Sequence, residues 1–161
     1  MSNDTALLRC FHTLLQQERT AALGTLTPQN EPSISMVPYA VDTQTACLIV
    51  HISELAAHTR YLLARQQSSI MICQSPQTHQ PVHNLPRVTL QTCATLLNRD
   101  TQAWQHAHDA YIKRFPDVAF MTEFKDFHFF ALEPLRVRQI AGFGAARTLA
   151  LEQAKDILRQ L

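Results

Sequence analysis

The residues best placed to meet a charged ligand run from Ser53 to Arg60. They open a predicted helix directly after a buried strand, with Ser53, His58, Thr59 and Arg60 as the polar side chains near its start. Free backbone N–H groups and the positive end of a helix dipole suit an anion, and an arginine adds a two-pronged clamp. Arg87, at the head of a later strand, is a second cation able to converge on the same place. The plainer alternative makes Ser53 a helix cap, Arg60 a solvated helix residue and Arg87 a strand-edge charge.

Other chemistries find less support. The chain has eight histidines, but Pro81 breaks helical geometry between His79 and His83. His106 and His108 point to different faces of a predicted helix. No spacing of the HExxH kind occurs, and a metal site needs three or four convergent ligands, so no metal site is expected. No G-x-S-x-G elbow is present, and no catalytic residue is named. Only three glycines, Gly24, Gly142 and Gly144, occur, which excludes a phosphate-cradling glycine loop. A phosphorylated ligand must therefore be held by side chains and helix ends. Cys10, Cys47, Cys73 and Cys93 form no CxxC pair and read as reduced, buried thiols.

The elements that must position these residues belong to one domain over residues 1–161, with 46% apolar and 17% charged residues. A formal charge of +1 gives no basic stripe for nucleic acid. Apolar runs such as Ala46 to Val50 are too short to span a bilayer. Asp4 and Arg9 interrupt any hydrophobic signal core, so a cytoplasmic protein without membrane association is expected.

Leu7, Leu8, Phe11, Leu14 and Leu15 predict a helix over residues 4–17. Strands are expected at Thr20 to Leu26, at Ser33 to Val41 with an edge or bulge at Pro38, and at Cys47 to Ile52. Ser53 then caps a helix that turns Leu55, Thr59, Leu62 and Leu63 to the core. Ser69 to Cys73 and Val88 to Leu97 are further strands around a polar loop. An Asp100-capped helix carrying Trp104, His108, Tyr111 and Phe115 ends at Pro116. Phe127 to Leu132 and Leu135 to Ile140 read as two strands around a turn at Glu133 and Pro134. Gly142 and Gly144 break the chain before a last helix at about 148–160. The hairpin-length turn at Asp42 to Gln44 favours antiparallel pairing, in an α+β arrangement or a barrel with helical decorations.

Seven short segments, taken in order, carry a resemblance to a known family. They are Ala22-Leu23-Gly24-Thr25-Leu26, Ser35-Met36-Val37-Pro38-Tyr39-Ala40, Ser53-Glu54-Leu55-Ala56-Ala57-His58-Thr59-Arg60, Pro86-Arg87-Val88-Thr89-Leu90, Arg114-Phe115-Pro116-Asp117, Asp126-Phe127-His128-Phe129 and Ala141-Gly142-Phe143-Gly144-Ala145-Ala146. The chain resembles the pyridoxamine-phosphate-oxidase-like, FMN-binding split-barrel superfamily, in the branch that includes the haem-utilisation proteins. The likeness runs from Ala21 to Arg147. It implies a mainly β fold with peripheral helices, a six-stranded Greek-key split β-barrel, and a homodimer with FMN in a cleft shared by the subunits. By position, Ser35, Met36, Val37, Pro38, Ser53, His58, Thr59, Arg60 and Arg87 are the implied cofactor-binding residues. The implied function is a flavoprotein oxidoreductase acting on a small molecule.

The chain also departs from that pattern. Ile34 to Tyr39 holds no basic residue, and Ala57-His58 stands where the flavin oxidases carry Arg-Lys. An FMN phosphate would lose two charge-assisted contacts, each worth about 1.5–3 kcal/mol. The alternatives are a haem- or tetrapyrrole-binding protein in haem utilisation, or a cofactor-free dimeric barrel. The haem-utilisation relatives use a C-terminal histidine on the iron, whereas His128 is the last histidine here, and Ala145 stands where relatives often carry arginine.

Overall fold

Alternation of small or apolar residues with polar ones makes eight stretches of this chain strand. The computed structural model describes residues 3–142 and 145–161, so Phe143 and Gly144, part of the last family-like segment, lie outside the described residues. In chain order the elements are α1 (Asn3–Gln17), β1 (Thr20–Leu26), β2 (Pro32–Pro38), β3 (Ala40–Asp42), β4 (Cys47–Ser53) and α2 (Ala57–Ala64). There follow β5 (Gln67–Cys73), β6 (Arg87–Leu96), α3 (Gln102–Arg114), β7 (Phe127–Ile140), β8 (Ala146–Leu149) and α4 (Leu151–Arg159). Short 3-10 segments occupy Val82–Asn84 and Pro116–Glu123. No helix among the described residues is long and apolar enough to cross a membrane.

The strands form one antiparallel sheet in the order β2-β1-β5-β6-β7-β4-β3, with β8 added to β7. The sheet curls until β2 lies beside β4 without a hydrogen-bonded ladder between them. Six long strands therefore make the expected split barrel, and β3 and β8 are short additions. The interior is filled by residues such as Leu23, Val50, Ile70, Leu90 and Phe130. Phe11, Leu14 and Leu15 of α1 and Ile157 and Leu158 of α4 join this core, as does Leu62 of α2. A second cluster lies outside the barrel, where Ala107 and Tyr111 of α3 and the adjoining Phe115 cover Ile49 of β4 and Phe129 of β7. Two covered faces explain why β4 reads as an apolar run from Cys47 to Val50.

Several sequence expectations need correction. Glu133 and Pro134 make no turn, and β7 runs unbroken from Phe127 to Ile140. Pro134 pairs with Thr92 and Arg136 with Gln91, leaving Leu135 as the extra residue of a bulge. A proline without an N–H is tolerated where the ladder is already interrupted. The Ser33 to Val41 run is split after Pro38 into β2, an edge strand paired to β1, and β3, paired to β4. The last helix starts at Leu151, because Thr148 and Leu149 continue β8 on β7. Ser53 ends β4 instead of capping α2, which begins at Ala57 without a side-chain cap. Thr101, not Asp100, caps α3 by accepting from the Trp104 N–H at 3.2 Å. Of the four residues expected to face the core from α2, Thr59 and Leu62 do so, while Leu55 and Leu63 are exposed. A helix of eight residues has one narrow buried stripe.

Candidate functional site

The Ser53–Arg60 segment is a strand end, a turn and a helix start fastened together. The Ser53 hydroxyl accepts from the Leu55 N–H at 3.2 Å. Its carbonyl accepts from the Thr59 hydroxyl at 2.6 Å, and Glu54 N–H donates to Asp126 O at 2.7 Å. Thr59 has no exposed surface, so its hydroxyl pins α2 to β4. Arg60 donates to Leu55 O at 3.3 Å and lies against the turn. His58 is half-buried, and desolvation lowers the pKa of its imidazole, which favours the neutral form.

Arg87 sits elsewhere. It opens β6 opposite Cys73 and donates to Leu85 O at 3.0 Å. Strand β5 separates this end from Gln67, into which α2 leads, a span on the order of 20 Å. No hydrogen bond or shared partner joins Arg60 to Arg87 within one protomer. On β2, Val37 is in the core, Ser35 is half-buried opposite Leu23, and Met36 and Pro38 reach the surface.

The pairing registers bring together residues that the sequence reading did not connect. On the outer face of the sheet, opposite to the barrel core, Met36, Ala22, Met71, Thr89 and Arg138 form one cross-strand row. Ile34, Gly24, Ser69, Gln91 and Arg136 form the next. The face is therefore apolar on β2 and β1, mixed on β5 with Met71 beside Ser69, polar on β6 and cationic on β7. Helix α3 covers only the β3, β4 and Phe127–Leu132 part of the outer surface. The uncovered part leaves Ile34 76% and Met36 70% exposed. Gly24, Ser69, Gln91 and Leu135 line a shallow concavity of about 420 Å³ on it. An Arg-Val-Arg alternation within a strand was the available signal for this cationic side. Its apolar counterpart becomes visible only through the pairing.

The other polar centre is His51, under α3. Its ring lies 4.3 Å from Phe129, 5.2 Å from Phe127 and 5.4 Å from Tyr111. Its Nε2 has no hydrogen-bond partner. Burial, and then the charges of Arg99, His128 and His108, push its pKa down to about 4. His128 itself meets Glu54 at 2.5 Å. Among the described residues, no group of three or more His, Cys, Asp or Glu side chains converges to hold a metal ion.

Comparison with known proteins places this geometry. The chain is 33% identical over 138 residues to the non-canonical, chloroplastic haem oxygenase HOZ of Arabidopsis thaliana, a match covering 84% of this chain and 40% of that protein. It thus spans well under half the length of the plant relative. It is 26% identical over 144 residues to the haem oxygenase HutZ of Vibrio cholerae, covering 89% of this chain and 81% of that one. The solved structure of HutZ, described as a haem storage protein, superposes with a TM-score of 0.73 over 80% of this chain and 89% of that chain, at 26% identity. A haem-binding protein from Mycobacterium smegmatis shares the fold, with a TM-score of 0.82 at 23% identity over 92% of this chain and 60% of that chain. Residues 9–141, which hold the barrel from β1 to β7, match the pyridoxamine 5'-phosphate oxidase family, and to that family this chain belongs.

Proposed function

We propose that this chain is a haem- or tetrapyrrole-binding protein of haem utilisation, acting as a homodimer. The observation that carries the reading is that both curated relatives, at 33% and 26% identity, are haem oxygenases. The outer sheet face supports it. It offers the flat surface of Ala22, Gly24 and Met71 to a macrocycle and the guanidiniums of Arg136 and Arg138 to carboxylates. When bound, haem would supply a redox-active iron. The chain's own part is to hold the macrocycle, orient its carboxylates and keep water from one of its faces.

A homodimer accounts for the same face. Isolated apolar side chains on a surface are ordinary, but Ile34 and Met36 lie in adjoining rows on the edge strand of an uncovered sheet. A second copy placed there removes them from water and leaves the concavity as a shared cleft.

FMN is the second reading, favoured by helix α2, whose N-terminus no side chain caps and which therefore still suits a phosphate. Against it stand the absence of a cation on β2 and the separation of Arg60 from Arg87. Absorbance titrations with haemin and with FMN, alongside light scattering, test all three statements. Saturable haemin uptake by a dimer is the expected result. Saturable FMN uptake without haemin binding would replace the first reading by the second, and a monomer would remove the shared cleft.

A further inference from the structure

The two rows that cross the uncovered face end on Arg138 and Arg136, two residues apart on one side of β7. Both side chains are exposed. Arg136 and Arg138 make no hydrogen bond or ion pair with any described residue, whereas Arg60, Arg87, Arg99 and Arg114 are all tied to backbone carbonyls. Thr89 and Gln91 are their neighbours on β6, so no carboxylate faces them from that strand. Two strands away, at about 10 Å, begins the apolar stretch of Met71, Ala22 and Gly24. Gly24 and Ser69 keep its floor low, and Leu135 rises at its edge. A planar apolar body carrying two carboxylates on one side matches this gradient. Histidine is absent from β1, β2, β5, β6 and β8, and the one histidine of β7, His128, is in its other half, held by Glu54.

Resting on the haem reading above, we propose that Arg136 and Arg138 are the carboxylate clamp for the tetrapyrrole. The ligand is thus held by its periphery and not by an imidazole of this face on the iron. Recognition then depends on the two carboxylates and hardly on the metal.

The experiment titrates the purified full chain with haemin, with metal-free protoporphyrin IX and with protoporphyrin IX dimethyl ester, by absorbance and fluorescence. The same series is repeated on the R136A/R138A double variant, with circular dichroism as a check of its fold. Haemin and protoporphyrin IX are expected to bind the unaltered protein within about threefold of each other, and the dimethyl ester about tenfold or more weaker. The double variant should lose about tenfold or more for both diacids and little for the ester. Equal diacid affinity in a folded double variant would overturn the clamp. Haemin binding more than about tenfold tighter than protoporphyrin IX, with the spectrum of imidazole ligation, would overturn peripheral holding. Failure of haemin and protoporphyrin IX alike to bind the unaltered protein would sink the haem reading itself, a result distinct from the other two.

Discussion

Replacing His51 by phenylalanine should flatten the acid sensitivity of this fold. The imidazole is only 7% exposed, its Nε2 has no partner, and its pKa lies near 4, against an ordinary 6.5. Arg99 from the turn before α3, His108 from α3 and His128 from β7 all oppose its protonation. The unfolded chain therefore binds a proton at this residue before the folded protein does. Its contribution to stability is fully present above about pH 6.5 and declines as pH falls, until the folded state also protonates near pH 4. Linkage makes the loss on the order of 1 kcal/mol by about pH 5.5, and on the order of 3 kcal/mol in full. Phenylalanine keeps an aromatic ring against Phe129 and Tyr111 and removes the titration. Urea unfolding of both proteins near neutral pH and at about pH 5.5 is the assay. The unaltered protein should lose on the order of 1 kcal/mol more than H51F over that interval, whatever the absolute stabilities are. Equal losses would show that His51 is no more protected from protons in the fold than in the open chain, and the burial argument would fall.

Four further outcomes are expected. Thr101→Ala removes the cap on the Trp104 N–H and should cost about 1 kcal/mol in urea unfolding. Thr59→Val leaves Ser53 O without its 2.6 Å donor. It should cost about 1–3 kcal/mol, with earlier amide exchange in α2 than in the sheet. Gly24→Leu should block tetrapyrrole uptake while leaving the fold intact, because a Cβ there meets Ser69 O at 3.5 Å, an ordinary contact, and the longer side chain enters the concavity. Ile34→Glu with Met36→Glu should leave a folded monomer by light scattering, because both side chains are already largely in water in one protomer and only an interface would resist the charges.

The parts of the fold legible in the sequence were those governed by short-range pattern. Strand β1 was read with its observed limits, Thr20 to Leu26. The double-sided burial of β4 followed from its apolar run from Cys47 to Val50. The Pro116 stop on α3 also followed from local chemistry. The caps at Ser53 and Asp100 were missed by one to a few residues of local geometry, whereas the misread limits of β7 and of the last helix occur where long-range pairing overrides a local signal. Pro134 beside Glu133 is an ordinary turn signal, yet β6 on one side and β4 and β8 on the other hold β7 extended through it. Thr148 and Leu149 continue into a helical stretch, but the free edge of β7 recruits them as β8. At the site, the Ser53–Arg60 segment was found because its residues are contiguous. Arg87 was joined to it as a cation at the head of a later strand, and the structure keeps the two apart within one protomer. The rows across the outer face were invisible, since each residue in a row comes from a different strand.

The bulge at Leu135 connects the misread turn to the proposed site. Up to Pro134, β7 turns its even-numbered residues inward, and Leu132 and Pro134 are both buried. Beyond the bulge, Val137 and Gln139 are buried while Leu135, Arg136 and Arg138 are exposed. A strand has a side-chain period of two, so one extra residue exchanges its faces. Were Leu135 paired in regular alternation, with no bulge, the same sequence would turn two guanidiniums into the barrel beside Leu90 and Val137 out of it, a costly burial of charge. By bulging at Leu135, β7 completes the core with Val137 and, in the same stretch, sets two unpaired arginines on the sheet face that α3 leaves uncovered. The residues that look like a turn, Glu133 and Pro134, thus stand directly before the bulge that gives the barrel a cationic outer edge.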